Sequence, residues 1–388
     1  MTESLQVAQT RAPVSPAWSL LVAHTVTGKV VGRLPLAALT WSLPLGFGGG
    51  SFQPTVQLDG PPGPDDRSVT RRVRTICADG PRFMLVSVYG TRAVSYGFVS
   101  APVPSPTGVQ ISTLDLAGLL NRRLVITPGQ RANPSSAAAN TTLGPTSKPN
   151  LARLLLLQSI AEDGAELPLD IPAVGTSGTH VRNYLGSDLA SYTERLRDLG
   201  DDLDGPDVRV TPMLSVDQQW VTLRVDIGEP YVGRAGELTF QYPGNCVDVV
   251  PDYDYSQMGA WHYVPGDGAD QDKPVGVAVR TTLVDAGVPL MDRVDTSHGS
   301  TRDIAILDSY AEANADVLES GLESLTLTVS ADADPALGTY APGDDLQLRT
   351  SRHWWLDNAT HHRRIVAVSG NHTNTVTIKT AQAPEGLT

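Results

Sequence analysis

Apolar residues alternate with polar ones over many short stretches of this chain, and step by three and four over only a few, so the pattern predicts mostly β-strands with a handful of helices. Trp18–Val26 is apolar and rich in β-branched residues, Thr27-Gly28-Lys29 makes a turn, and Val30–Leu34 runs back. Leu39, Trp41 and Leu43 alternate with Thr40 and Ser42. Strands are also predicted at Ser68–Ala78, where Arg71, Arg72 and Arg74 would line a solvated sheet face, at Arg82–Tyr89 and at Ala93–Val99. Ser112 or Thr113 would cap a short helix through Arg122 with Leu116, Leu119 and Leu120 inward.

Residues 127–150 are rich in Pro, Ser, Asn, Thr and Ala and show no apolar period, which predicts a linker over 132–150. Asn150 would open a helix over Leu151–Asp163, stopped by Gly164. A second helix is expected from Ser187 to Leu203, with Leu189, Tyr192, Leu196, Leu199 and Leu203 on one stripe. Two alternating strands follow, around Val208–Leu214 and Val221–Ile227. The stripe and the strand faces could close a small α/β core of their own. The remainder reads as strands broken by one helix near 301–321, with Ile304, Leu307, Ala311, Leu318 and Leu322 inward, leading into Leu325, Leu327 and Val329 at period two. The expected fold is therefore a β-rich, multidomain α+β chain: a first β domain (1–131), the linker, an α/β domain (151–230) and a second β domain (231–388).

The composition narrows the function. Hydrophobic residues make up 40% and charged ones 18% of the 388 residues, with 36 Gly and 29 Pro, which suits a globular chain of many turns. The net charge of -13 and the lack of a Lys/Arg-rich run argue against a reader of double-stranded DNA, which needs a basic face. Met1-Thr2-Glu3-Ser4 does not begin a secretory signal, and no apolar run approaches the ~20 residues that span a bilayer, so a soluble protein made in a cytoplasm is expected. Cys77 and Cys246 follow no metal or redox spacing and are expected to be free thiols.

Candidate chemistry is thin. The glycine-rich stretch Leu45–Ser51 lacks the Gly-Lys-Ser/Thr end of a phosphate loop and reads as a flexible hairpin loop. His353, Trp354, Trp355, Asp357, Asn358, His361 and His362 could be a zinc cluster, but adjacent His361 and His362 would point to opposite faces of a strand; a polar interface loop is the better reading. Asp252, Asp254 and Ser256 begin like a calcium loop, yet Gln257 stands where glycine is needed and Tyr263 where glutamate is needed. Gly266–Asp270 reads as a loop tip. Asp201, Asp202, Asp204 and Asp207 read as solvated turn and helix-face carboxylates rather than a glycosidase pair. Trp261, Tyr263, Trp354 and Trp355 could stack on sugars or serve an assembly interface. No catalytic residue, metal site or cofactor is assigned, and the chain is expected not to be an enzyme.

The last third carries a family pattern. A helix with Ala311, Ala313, Ala315 and Leu318 leads into a strand; Leu337-Gly338-Thr339-Tyr340-Ala341-Pro342-Gly343-Asp344-Asp345-Leu346 follows, and Arg364-Ile365-Val366-Ala367-Val368 precedes a Thr-rich final strand. This resembles the closing barrel of hub proteins in phage tails and contractile injection machines. Thr27–Pro35, Gly118–Arg123, Glu194–Leu199 and Asp204–Asp207 match further segments, so the chain resembles, over nearly its full length, the minor tail proteins of long-tailed actinobacteriophages. The resemblance implies two β-barrel-like domains per chain and a homotrimer at the tail tip. Three chains would then mimic a six-fold ring, meeting the distal tail protein ring and the tape measure protein above and other minor tail or fibre proteins below. The implied role is structural: to join the tube to the tip fibres and form the end of the DNA conduit, which DNA crosses without specific binding. The alternatives are a tail protein that binds a host carbohydrate receptor at the cell envelope, or a tail-associated cell-wall hydrolase.

Overall fold

The computed structural model describes residues 18–60, 68–234, 236, 238–269, 272–299, 301–318 and 322–383. Most of the Gly60–Asp66 loop, Asp270 at its predicted loop tip and the end of the 301–321 helix lie outside the described residues. The first segment contains β1 (Trp18–His24), β2 (Val30–Leu34), β3 (Leu36–Pro44), β4 (Ser51–Gln57), helix α1 (Val69–Asp79), β5 (Phe83–Tyr89), β6 (Arg92–Pro104), β7 (Gly108–Leu114) and the short helix α2 (Leu116–Leu120). The strand expected at Ser68–Ala78 is instead α1. The apolar spacing there is three, not two: Thr70, Val73 and Ile76 face the core, and Arg71 and Arg74 face solvent. Asp59 reinforces the start of that helix by accepting from the backbone N–H groups of Val69 (2.8 Å) and Thr70 (3.1 Å). Helix α2 is capped by Asp115, whose carboxylate accepts from Gly118 N–H at 2.7 Å, rather than by Ser112 or Thr113.

The middle segment contains β8 (Thr141–Thr146), α3 (Lys148–Ser159), β9 (Leu169–Asp170), β10 (His180–Tyr184), α4 (Tyr192–Gly200), β11 (Val208–Leu214) and β12 (Val221–Ile227). The end of the expected linker is thus ordered: β8 pairs with β10, and Ser147 caps α3 three residues before Asn150. Helix α4 is shorter than the stripe suggested, because Ser191 and Glu194 form a reciprocal capping box that sets its start. Leu189 then falls outside the helix, at φ 51° and 52% exposed.

The last segment contains β13 (Leu238–Tyr242), β14 (Cys246–Asp254), β15 (Trp261–Pro265), β16 (Val275–Val279), α5 (Thr282–Asp285), β17 (Asp292–Val294), α6 (Ile304–Leu318), β18 (Leu322–Ser330), β19 (Asp345–Thr350), β20 (Thr360–Asn371) and β21 (Thr375–Gln382). Ile304 does not face inward as expected; it is 48% exposed at the first turn of α6, while Leu307, Tyr310, Ala311 and Ala315 form the buried stripe.

Among the described residues no sheet closes into a barrel. The first and last segments share one sheet of thirteen strands, ordered β14-β18-β21-β20-β3-β4-β7-β6-β5-β1-β2, with β19 and β13 branching from β20. Strand β20 makes the junction. Up to Arg364 it pairs with β19; from Ala367 to Asn371 it pairs with β3. A register shift between Ile365 and Ala367 bends it where the partner changes. One hydrophobic cluster runs through both halves, from Leu20, Trp41 and Phe52 to Phe240, Leu327 and Ile378. At the turn before β19, Gly343 (φ 95°) leaves no room for a side chain: a Cβ would meet Val232 Cγ2 at 2.7 Å.

The middle segment does not close its own core. Leu151, Leu155, Tyr192, Leu196, Leu223 and Val225 share a second cluster with Leu21, Met84, Val86, Val88 and Phe98, on the other face of β1, β5 and β6. Those strands are therefore buried on both faces, which explains why every residue of Phe83–Tyr89 is buried.

Candidate interaction surface

The loop between β19 and β20, residues 351–359, holds Trp354 and Trp355 out of the fold, 73% and 61% exposed. It is tightly bonded. His353 Nδ1 accepts from the backbone N–H groups of Trp355 (3.1 Å) and Leu356 (2.9 Å), and its Nε2 donates to the Val249 carbonyl at 2.9 Å. Trp355 Nε1 donates to the Tyr253 hydroxyl (3.2 Å), Thr350 Oγ1 donates to the Asp357 carbonyl (2.6 Å), and Asn358 Oδ1 accepts from Arg352 N–H (2.7 Å). Both nitrogens of His353 are thus committed to the loop. His361 Nε2 lies 2.9 Å from Thr350 Oγ1, and burial lowers its pKa. His361 and His362 stand at successive positions opposite Leu348 and Gln347, on opposite faces of β20. Among the described residues no group of three or more His, Cys, Asp or Glu side chains gathers around one point.

Asp252 and Asp254 lie in extended β14, which cannot wrap an ion; Asp254 Oδ1 accepts from Ser256 N–H at 2.8 Å. Tyr253 and Tyr255 have parallel rings 6.5 Å apart, so an exposed aromatic patch joins β14 to the Trp loop. The glycine-rich loop between β3 and β4 is anchored rather than loose: Phe47 is buried and its carbonyl accepts from Arg197 Nε.

Two of the four carboxylates at 201–207 are not solvated as expected. Asp202 is 5% exposed and pairs with Lys148 (2.9 Å) and Arg182 (2.7 Å). Asp207 pairs with Arg364, and burial nevertheless pushes its carboxyl up. Arg209 bridges Asp226 (3.0 Å) and Asp344 (2.9 Å). These pairs clamp segments together. Their partners are remote in sequence, so composition alone could not reveal them. A cavity of about 110 Å³, with Trp41, Asp115 and Tyr340 in its wall, is the size of a few waters rather than of a substrate.

A second surface lies on the sheet β16-β15-β17; the sequence pointed to its Trp261 and Tyr263 but not to the valines beside them. The run Val275-Gly276-Val277-Ala278-Val279 alternates legibly, but its small residues face inward. Helix α6 lies so close that a Cβ on Gly276 would meet the Leu307 carbonyl carbon at 2.2 Å. The valines therefore point to solvent, beside the parallel rings of Trp261 and Tyr263, 6.2 Å apart.

The edges of β14 and β16 are partly capped against another strand. On β14, Asp248 Oδ1 accepts from Val249 N–H (2.9 Å), His353 donates to the Val249 carbonyl, and Pro251, two residues on, has no N–H. On β16, Asp308 Oδ1 accepts from Val277 N–H (3.1 Å), and Arg280 Nη1 donates to the Val279 carbonyl (3.0 Å).

This branched sheet, with an α/β segment packed on one half and a helix-backed small sheet on the other, is the fold of phage tail proteins. It is similar to the prophage MuSo2 43 kDa tail protein from Shewanella oneidensis, with TM-score 0.56 and 10% identity over 95% of this chain and 97% of that one. It is also similar to a tail protein from Neisseria meningitidis MC58, with TM-score 0.51 and 14% identity over 96% and 98% of the two chains. A chain of the Francisella PdpA-VgrG complex gives TM-score 0.50 and 9% identity over 96% of this chain and 59% of that one. No family model matches the sequence, and no curated protein matches it.

Proposed function

We propose that this chain is a structural hub of a bacteriophage tail tip. Its full-length correspondence with two tail proteins, end to end in both chains, carries that reading. Three copies form a ring that joins the tail tube, the distal tail protein ring and the tape measure protein to the tip fibres. The role is non-catalytic and needs no cofactor or metal. The wall of the ring is neutral to acidic. DNA carries one negative charge per ~1.7 Å of axis, so a basic wall would hold it, whereas the chain's net charge of -13 lets it slide. Many arginines are already engaged within the chain, by Glu229, Asp226, Glu323 and Asp207 among others. A density map of intact tails tests the reading: three copies around the axis are expected, and a hexamer, a monomeric side fibre or a lumen ringed by unpaired arginine would overturn it.

The exposed pair Trp354 and Trp355 favours a second reading, a contact with carbohydrate on the host envelope. Each is substituted separately by alanine. Intact virions that fail to adsorb support receptor binding; absent or tailless particles support assembly.

A further inference from the structure

The sheet β16-β15-β17 is covered on one face only. His262, Val264, Gly276 and Ala278 turn toward α6 and are buried. The opposite face sets Tyr263 between Val277 and Val294, and Trp261 between Val279 and Asp292. Val277, Val279 and Val294 are 41%, 39% and 51% exposed. Trp and Tyr are among the residues that dominate the energetic centre of interfaces, and monomers rarely leave a large contiguous apolar patch in water.

The segment that builds this sheet and α6 is one-sided in charge. Residues 261–318 hold ten carboxylates and four basic side chains, one of which, Lys273, is exposed; they carry six of the chain's 13 net negative charges. Of the four, Arg280 is bonded to Glu312 (2.7 Å) and Asp316 (2.5 Å), and Arg302 to Asp267 (2.7 Å). Arg293 sits at an inward-facing position of β17, and Asp292 stands on the open face. Such a surface repels a second copy of itself and attracts cations.

We propose that this face docks a partner protein segment that is amphipathic and basic: an apolar ridge flanked by Lys or Arg, seated on Trp261, Tyr263 and Val277 with its cations toward Asp292 and the neighbouring carboxylates. The capped edge of β16 and the three-residue length of the other edge, β17, favour a side-chain ridge laid across the face over strand addition. The site stands whether or not the chain is a tail hub.

Two synthetic helical peptides with the same leucine face, one with lysine and one with glutamate on its polar face, are titrated calorimetrically into the full chain. The lysine peptide is expected to bind and the glutamate peptide not to. Binding should weaken about tenfold on raising salt several-fold, because screening shortens the reach of the carboxylates. The pair Val277→Ser and Val294→Ser should cost a further factor of about ten, and Asp292→Asn alone about threefold. Val103→Ser, at a 57% exposed valine of β6, should change nothing. Equal affinity for both peptides would overturn the proposal. So would lysine-peptide binding that ignores both the valine pair and Asp292→Asn, or sedimentation showing that copies of the chain associate through this face.

Discussion

Arg364 and Asp207 form an ion pair across the seam between the closing strands and the middle segment. The Arg364 guanidinium also donates to the Val232 carbonyl at 2.7 Å and lies 4.9 Å from the centre of the Tyr231 ring. The two side chains are only 5% and 22% exposed, so removing one leaves the other charge poorly solvated.

Arg364→Leu should therefore destabilise the fold by about 3 kcal/mol, measured by urea unfolding, and Asp207→Asn by less. The pH dependence has a definite sign. Burial raises the Asp207 carboxyl, and Arg364 pulls it back. Without Arg364 the folded state favours the protonated acid still more. The deficit of the variant should shrink as pH falls through that raised pKa. A deficit that grows on acidification would contradict the assignment.

Acidification should loosen the native protein through three histidines, of which His262 is buried and the other two half-buried. His24, His262 and His361 are all lowered, chiefly by desolvation. A lowered histidine is neutral when folded and takes its proton when unfolded, so stability is complete above pH 6.5 and is lost as pH falls from there toward the lowered folded value. His262, 1% exposed behind β15, should contribute to this slope. His262→Gln should flatten thermal stability between pH 5 and 7 relative to the parent, and an unchanged slope would remove His262 from the account.

Asp59 should matter to α1 beyond its own exposure. Its carboxyl lies well below the ordinary value because the Val69 and Thr70 N–H groups donate to it. That stabilisation is present above the unfolded pKa and fades as pH falls through the folded one. Asp59→Ala should lower the amide-exchange protection of Val69 and Thr70 while leaving β5 protected.

Deleting 151–230 should give insoluble protein rather than a folded remainder, because it uncovers Met84, Val86, Val88 and Phe98. The intact chain should correspondingly unfold these strands and the middle segment together. A soluble deletion product with cooperative unfolding would show that the shared core is dispensable.

The two thiols should be inert in the native state. Cys77 and Cys246 are free, and burial pushes both up to about 11. A thiol reagent at pH 8 should label neither quickly, and denaturation without reductant should release two reactive thiols.

The sequence by itself determined the β-rich character, most strand positions and several turns, because side chains alternate at period two wherever one face of a strand is buried. The strands at Val208–Leu214, Val221–Ile227 and Leu325–Val329 were legible for that reason. Trp354 and Trp355 were legible as part of an exposed loop because two adjacent indoles have no place in a turn's own packing. Helix α1 was not, because a stretch with Thr70, Val73, Ile76 and Cys77 on one side and three arginines between them reads almost as well at period two as at period three. Only tertiary structure decided which half of an alternating strand faces inward. In β16 the choice went to Gly276 and Ala278 because α6 packs too closely to admit a valine, and that leaves its valines on an exposed apolar face. The same holds for Asp202, Asp207 and the shared cores: each depends on partners far away in sequence, and local pattern carries no information about distance across the fold.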